Sequence, residues 1–147
     1  MKVLIINGPN LNLLGIREKE IYGSESYDAL VKKLFAWAEE EKMEIDCFQS
    51  NHEGELVDRI QKAYFEKYDG IIINPAAYTH TSIAILDALK AVEIPAVEVH
   101  ISKISERESY RAVSYVREYC FMTVSGHGIE GYHIALLAMK KKIMGVM

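Results

Sequence analysis

Five short apolar, β-rich runs recur along the chain: VLIIN from residue 3, IDCFQ from 45, GIIIN from 70, PAVEVH from 95 and FMTVS from 121. Each has strand length and is flanked by polar or turn residues. The intervening stretches carry helical spacing instead. Tyr27, Leu30, Val31, Leu34 and Ala38 recur at three and four, with Ser24 or Ser26 placed to cap the helix they predict. Leu56, Ile60, Ala63 and Tyr64 mark a second helix, and Ile83, Ile85, Leu86 and Leu89 a more buried third. ERESYRAVSYV is shorter and weaker. The closing GYHIALLAMKKKI is apolar around most of its circumference and ends in lysines, which suit the negative end of a helix macrodipole.

Strands alternating with helices require right-handed crossovers and give a parallel sheet covered on both faces. The pattern predicts an α/β, flavodoxin-like three-layer sandwich with a five-stranded parallel sheet. A chain of 147 residues, half of them hydrophobic, fits a single catalytic domain over 1–147. No internal repeat or low-complexity tract interrupts it.

Ligands of such sheets bind beyond the carboxyl ends of the strands. Asn7 ends the first strand and Asn74 the third, while Glu98 and His100 lie on one face near the end of the fourth, opposite Val97 and Val99. INPAAYTHTS places His80 at the start of the helix that follows. The first strand runs into NGPNLNLLGIREKEIYG, residues 7–23, a segment without regular periodicity that carries Asn10, Arg17 and Tyr22. Segments of this kind act as lids or binding loops, and this one is too apolar for a solvated linker.

Charge and cysteine usage narrow the partners. Seventeen basic against twenty-one acidic residues give a net charge of −4, without the basic footprint that nucleic acid demands. Cys47 and Cys120 form no CxxC and fall in apolar runs, so buried free thiols in a reducing cytoplasm are expected. The chain enters KVLIIN directly and holds no apolar run of membrane-spanning length, so a soluble, unexported protein without a membrane partner is expected. His52, His127 and His133 lack metal-ligand spacing, and no metal is expected. GHGIEG matches GxGxxG by spacing, but it follows the last strand and reads as a turn with close helix packing. Lys103 follows the polar Ser102 and reads as solvated, a poor candidate for a Schiff base.

NGPNLNLLGIRE, IYG, INPAAYTHTS, VEVHIS and RESYR, in this order and spacing, resemble the type II 3-dehydroquinate dehydratases, over nearly the whole chain. Two departures stand out. Lys19 occupies a position where that family usually has proline, and Lys103 and Ser105 replace a common asparagine and histidine.

The resemblance implies a shikimate-pathway lyase that dehydrates 3-dehydroquinate to 3-dehydroshikimate by anti elimination through an enolate, without metal or organic cofactor. It also implies a homo-oligomer, a dodecamer built from trimers. Tyr22 would take the C2 proton and Arg17 would hold it as tyrosinate. Asn10 would hold a water on the enolate oxygen, His100 would protonate the departing C1 hydroxyl and Glu98 would orient His100. Asn74, His80, Arg111 and the Ile101–Ser102 backbone with the Ser102 hydroxyl would grip the substrate, with Arg107 nearby. Asp87 would reach a neighbouring subunit's site.

The chemistry of these residue types agrees. An unperturbed tyrosine, with a pKa of about 10, is a poor base near neutrality, and a guanidinium that never deprotonates is the suitable neighbour. Histidine is a natural acid for a hydroxide-like leaving group, and a carboxylate keeps its imidazole charged and aimed. The rival reading is a non-catalytic, flavodoxin-like module that binds a flavin or another small molecule. Against a flavin, the first strand-to-helix turn lacks the Ser, Thr and Gly richness of a flavin-phosphate loop.

Overall fold

A computed structural model describes residues 1–146. The five apolar runs form strands β1 (Lys2–Asn7), β2 (Glu44–Gln49), β3 (Gly70–Asn74), β4 (Ala96–His100) and β5 (Met122–Ser125). The helices are α1 (Lys19–Tyr22), α2 (Tyr27–Glu40), α3 (Glu53–Phe65), α4 (Ile83–Val92) and α5 (Glu130–Met144). All four strand pairings are parallel, in the order β2-β1-β3-β4-β5, the flavodoxin-like arrangement.

Strand alternation divides the core in two. Val3, Ile5, Ile72, Val97 and Val99 pack against Leu30 and Leu34 of α2 and Tyr132 and Leu136 of α5. Leu4, Ile6, Ile71 and Ile73 face Leu56 and Ile60 of α3 and Ile85 and Leu89 of α4. Each such side chain contributes about 1.5–3 kcal/mol on burial, so the apolar pattern outweighs local propensity in fixing these elements. Of the two candidate serines, Ser26 is the cap of α2, its hydroxyl accepting from the Ala29 N–H at 3.1 Å. Ser82 caps α4 through the Ile85 N–H at 3.0 Å. Gly145, at φ 71°, closes α5 just after Lys141 and Lys142.

Several expectations are corrected. Residues 8–26 are not structureless, since they form a 3-10 turn at Leu11–Leu13 and the short α1. The weak helical pattern of ERESYRAVSYV is no α-helix. It resolves into 3-10 turns at Ile104–Glu106, Ser109–Arg111 and Val116–Glu118, because Ile104 and Val116 alone are too few buried anchors for an amphipathic face. His80 ends the 3-10 turn Ala76–His80 rather than opening the next helix, since the cap is Ser82. Tyr64 and Ile83, expected on buried faces, are 57% and 53% exposed. Cys47 and Cys120 are free and only half-buried. Burial still pushes both thiols up to about 12, which leaves them unreactive.

Strand order reverses between β1 and β3, where Asn7 and Asn74 are register partners. The two exits cross closely: the Gly8 N–H donates to the Asn74 carbonyl at 2.8 Å. A Cβ on Gly8 would lie 2.4 Å from the Pro75 carbonyl oxygen, so only glycine passes here.

Candidate active site

Alternation along β4 puts Glu98 and His100 on the face away from Val97 and Val99, as expected, and His100 Nε2 donates to Glu98 Oε2. Both are buried. The Glu98 carboxylate also accepts from Ser114 Oγ at 2.7 Å, from Arg117 Nε and Nη2 at 3.2 and 3.3 Å, and from Thr123 Oγ1 at 3.1 Å. Burial alone would raise its pKa, but the bond to His100 and those from Arg117 and Ser114 prevail and bring it down to about 2. A carboxylate that stays ionised well into the acid range therefore fixes the imidazole by Nε2 and leaves Nδ1 for a ligand.

The segment after β1 brings in the second group. The Tyr22 hydroxyl oxygen accepts from Arg107 Nη1 at 2.8 Å and from Arg17 Nη2 at 3.4 Å. The Arg17 guanidinium also lies over the Tyr22 ring, 4.4 Å from its centroid, and pairs with Glu18. Arg107 reaches Ser102 Oγ at 3.4 Å, and Arg111 is held by Glu108 at 2.9 Å. His80 Nδ1 donates to the Val113 carbonyl at 2.7 Å, which leaves its Nε2 lone pair available. Burial lowers the His80 pKa and the charges of Arg111, His100 and Arg107 lower it further, against the opposing bond to Val113.

These side chains close around a cavity of about 110 Å³ lined by Asn10, Arg17, Tyr22, Asn74, His80, His100, Ile101, Ser102, Arg107 and Arg111. Glu98 stands behind His100. Asn10, at φ 70°, is anchored by its N–H to Asn51 Oδ1 at 3.0 Å. The Ile101 carbonyl accepts from the Gly128 N–H and the Ser102 carbonyl from Ser125 Oγ, so the turn after β4 is fixed. Asp87 is not brought in; it is exposed on α4. A wider open cleft of about 670 Å³ shares Tyr22, Ser102 and Arg107 but lacks Asn74, His80 and His100, so the candidate groups come together only in the smaller cavity. Lys103 is exposed and pairs with Glu106. Among the described residues no three His, Cys, Asp or Glu side chains converge as a metal cage, and no helix is long and apolar enough to cross a membrane.

Sequence reasoning missed the supporting residues. Ser114 and Arg117 sit in the stretch with no clear period, and Thr123 is the register partner of Glu98 on β5, a relationship that needs the strand order. Tyr132 reads as one more apolar position of α5, yet its hydroxyl donates to Asn7 Oδ1 at 2.6 Å and accepts from Asn74 Nδ2 at 3.0 Å.

Residues 1–140 match the family model described as dehydroquinase class II. A 3-dehydroquinate dehydratase of Caldicellulosiruptor bescii is 59% identical over 140 residues, covering 95% of this chain and 97% of the relative. One of Clostridium perfringens is 57% identical over 143 residues, covering 97% and 99%. The crystal structure of a type II dehydroquinase from Butyrivibrio crossotus superposes with a TM-score of 0.94 at 50% identity, covering 95% of this chain and 97% of that one.

Proposed function

The chain belongs to the class II dehydroquinase family, and on that premise we propose that it dehydrates 3-dehydroquinate to 3-dehydroshikimate as one catalytic unit of the shikimate pathway. The observation that carries this reading is a single cavity in which a tyrosine oxygen held by two guanidinium groups faces a carboxylate-oriented histidine. A flavin carrier would have no use for either group.

As a tyrosinate with the Arg17 and Arg107 guanidinium groups at its oxygen, Tyr22 takes the C2 proton, and the electron pair of the C–H bond passes to the C3 carbonyl oxygen as an enolate. A water held by Asn10 stabilises that oxygen. The enolate then collapses to the C1–C2 double bond, and the C1 hydroxyl leaves as water with a proton from His100, whose orientation Glu98 sets. Tyr22 and His100 on separate elements suit acid and base acting from opposite faces, the requirement of an anti elimination. Asn74, His80, Arg111 and the Ile101–Ser102 turn bind the carboxylate and hydroxyls. Arg17 and Tyr22 travel on one segment, so its closure completes the site and excludes water together.

Asp87, exposed on α4, serves the site of a neighbouring copy in a homo-oligomer, a dodecamer of trimers. The two free thiols fit a reducing, cytoplasmic setting. The deciding experiment is incubation of the purified protein with 3-dehydroquinate, following the ultraviolet absorbance of the conjugated product. Steady growth of that absorbance is expected, and none at all would overturn the reading.

A further inference from the structure

Asn74 is buried at the end of β3, and its amide is held from two sides. Its Oδ1 accepts from the Ala76 N–H at 3.1 Å, and its Nδ2 donates to the Tyr132 hydroxyl at 3.0 Å. The Tyr132 hydroxyl in turn donates to Asn7 Oδ1 at 2.6 Å, and Asn7 Nδ2 faces the Tyr27 hydroxyl at 3.4 Å. The relay therefore has one direction. Ala76 is itself in the left-handed region, at φ 54°, a conformation that a non-glycine residue holds only where its surroundings insist. With one partner on each side of the Asn74 amide, its uncommitted donor is the second hydrogen of Nδ2, in a side chain that lines the cavity.

We propose that Tyr132 is a positioning residue for substrate binding: through its hydroxyl it fixes the Asn74 amide so that the remaining N–H points at the ligand. The inference rests on the reading of Asn74 as a substrate contact. Full burial pushes the Tyr132 phenol well above its ordinary value, so its oxygen keeps its proton and the relay keeps its sense. A water in this place could reorient and let the amide turn. The tyrosine cannot, because its ring is packed on the core cluster beneath β1 and β3. Removing the hydroxyl strands Asn7 Oδ1 and one Asn74 N–H in a buried site, and the cheapest remedy is rotation of Asn74 away from its working orientation.

The test compares Tyr132→Phe, Asn74→Ala and the double variant with wild type. It reads kcat and KM for 3-dehydroquinate, and the Kd of quinate, a saturated hydroxycyclohexane carboxylate without the ketone, by calorimetry. Tyr132→Phe is expected to raise KM and the quinate Kd about three- to tenfold with kcat little changed, the size of one misplaced hydrogen bond. In the Asn74→Ala background, the same substitution is expected to change neither. Should Tyr132→Phe fold poorly, Asn7→Ala removes the acceptor of the hydroxyl and carries the same expectation. A purely structural role would lower thermal stability or active fraction while KM and Kd stay put, and that result, additive effects in the double variant, or no quinate binding by wild type would overturn the proposal. If 3-dehydroquinate is not turned over but quinate binding follows the expected pattern, the catalytic reading fails and the positioning role stands.

Discussion

Arg107 and Tyr22, 85 residues apart in sequence, are joined by a 2.8 Å hydrogen bond from Nη1 to the phenolic oxygen, shorter than the 3.4 Å approach of Arg17 from the same segment as Tyr22. Arg17 divides its charge with Glu18, whereas Arg107 sits deeper and its nearest carboxylate, on Glu108, lies 3.7 Å away. On the proposed reading of Tyr22 as the base, its support is shared, and the more distant residue in sequence holds the tighter contact. Arg107→Met is expected to lower kcat/KM at least as far as Arg17→Met, because it removes the shorter of the two hydrogen bonds to the phenolic oxygen. Steady-state kcat/KM of the two variants checks it, and an Arg107→Met enzyme that loses clearly less than Arg17→Met would return the main role to Arg17.

Tyr22→Phe removes one oxygen and leaves the ring on which Arg17 is stacked. The fold should survive and turnover should vanish. Product absorbance and circular dichroism on the same sample separate the two, and a substantially active variant would exclude Tyr22 as the base.

His100→Ala should lose about 10²–10⁴ in kcat, the usual worth of general acid–base assistance, while substrate still binds through Asn74 and Ser102. Single-turnover and binding measurements together test this. A near-wild-type rate would move the acid to His80, whose Nε2 is the other imidazole nitrogen available at the cavity.

The parts of this arrangement that follow a period were legible in the chain, and those that depend on two elements meeting were not. Val3, Ile5, Leu4 and Ile6 announce a strand buried on both faces, and VEVH puts Glu98 beside His100, because side-chain direction along a strand is fixed by parity. The clamp on Glu98 has no such rule. Thr123 meets it only because β5 lies next to β4, Ser114 arrives on the irregular stretch before the 3-10 turn Val116–Glu118, and Arg117 arrives on that turn, whose Val116 is buried in the core. The Arg107 contact to Tyr22 was obscured for the same reason: its turn has no amphipathic face to reveal where it would lie.

Asp87 offers a test of assembly. It is exposed on α4 and lines no part of its own chain's cavity. If it serves a neighbour, Tyr22→Phe and Asp87→Ala chains, each impaired alone, should regain activity when co-expressed, because mixed interfaces pair an intact Tyr22 with an intact Asp87. Activity no greater than the sum of the two separate preparations, or a monomer in sedimentation, would remove the shared-site role.

The buried carboxylate of Glu98 predicts how the protein meets acid. Its folded value of about 2 lies below the ordinary 4.5, so the native state favours the ionised form. The stabilisation is complete above about pH 4.5 and is lost as pH falls through 2; a gap of this size is worth on the order of 3 kcal/mol. His80 adds a smaller effect of the same sign at higher pH, since its lowered value means that stability falls once the medium drops below about 6.5. Arg117 supplies two of the bonds to Glu98 from a side chain that is 45% exposed, so solvent screens its share and Arg117→Met should cost only about 1 kcal/mol. That loss should appear at neutral pH and fade only as pH falls through about 2, where Glu98 takes up a proton and the guanidinium no longer has an anion to hold. Urea unfolding of wild type and Arg117→Met from neutral pH down to below about pH 2 reads the difference directly. Convergence of the two curves in acid is the expected outcome, and parallel curves throughout would show that Arg117 stabilises the fold by packing rather than through the Glu98 charge.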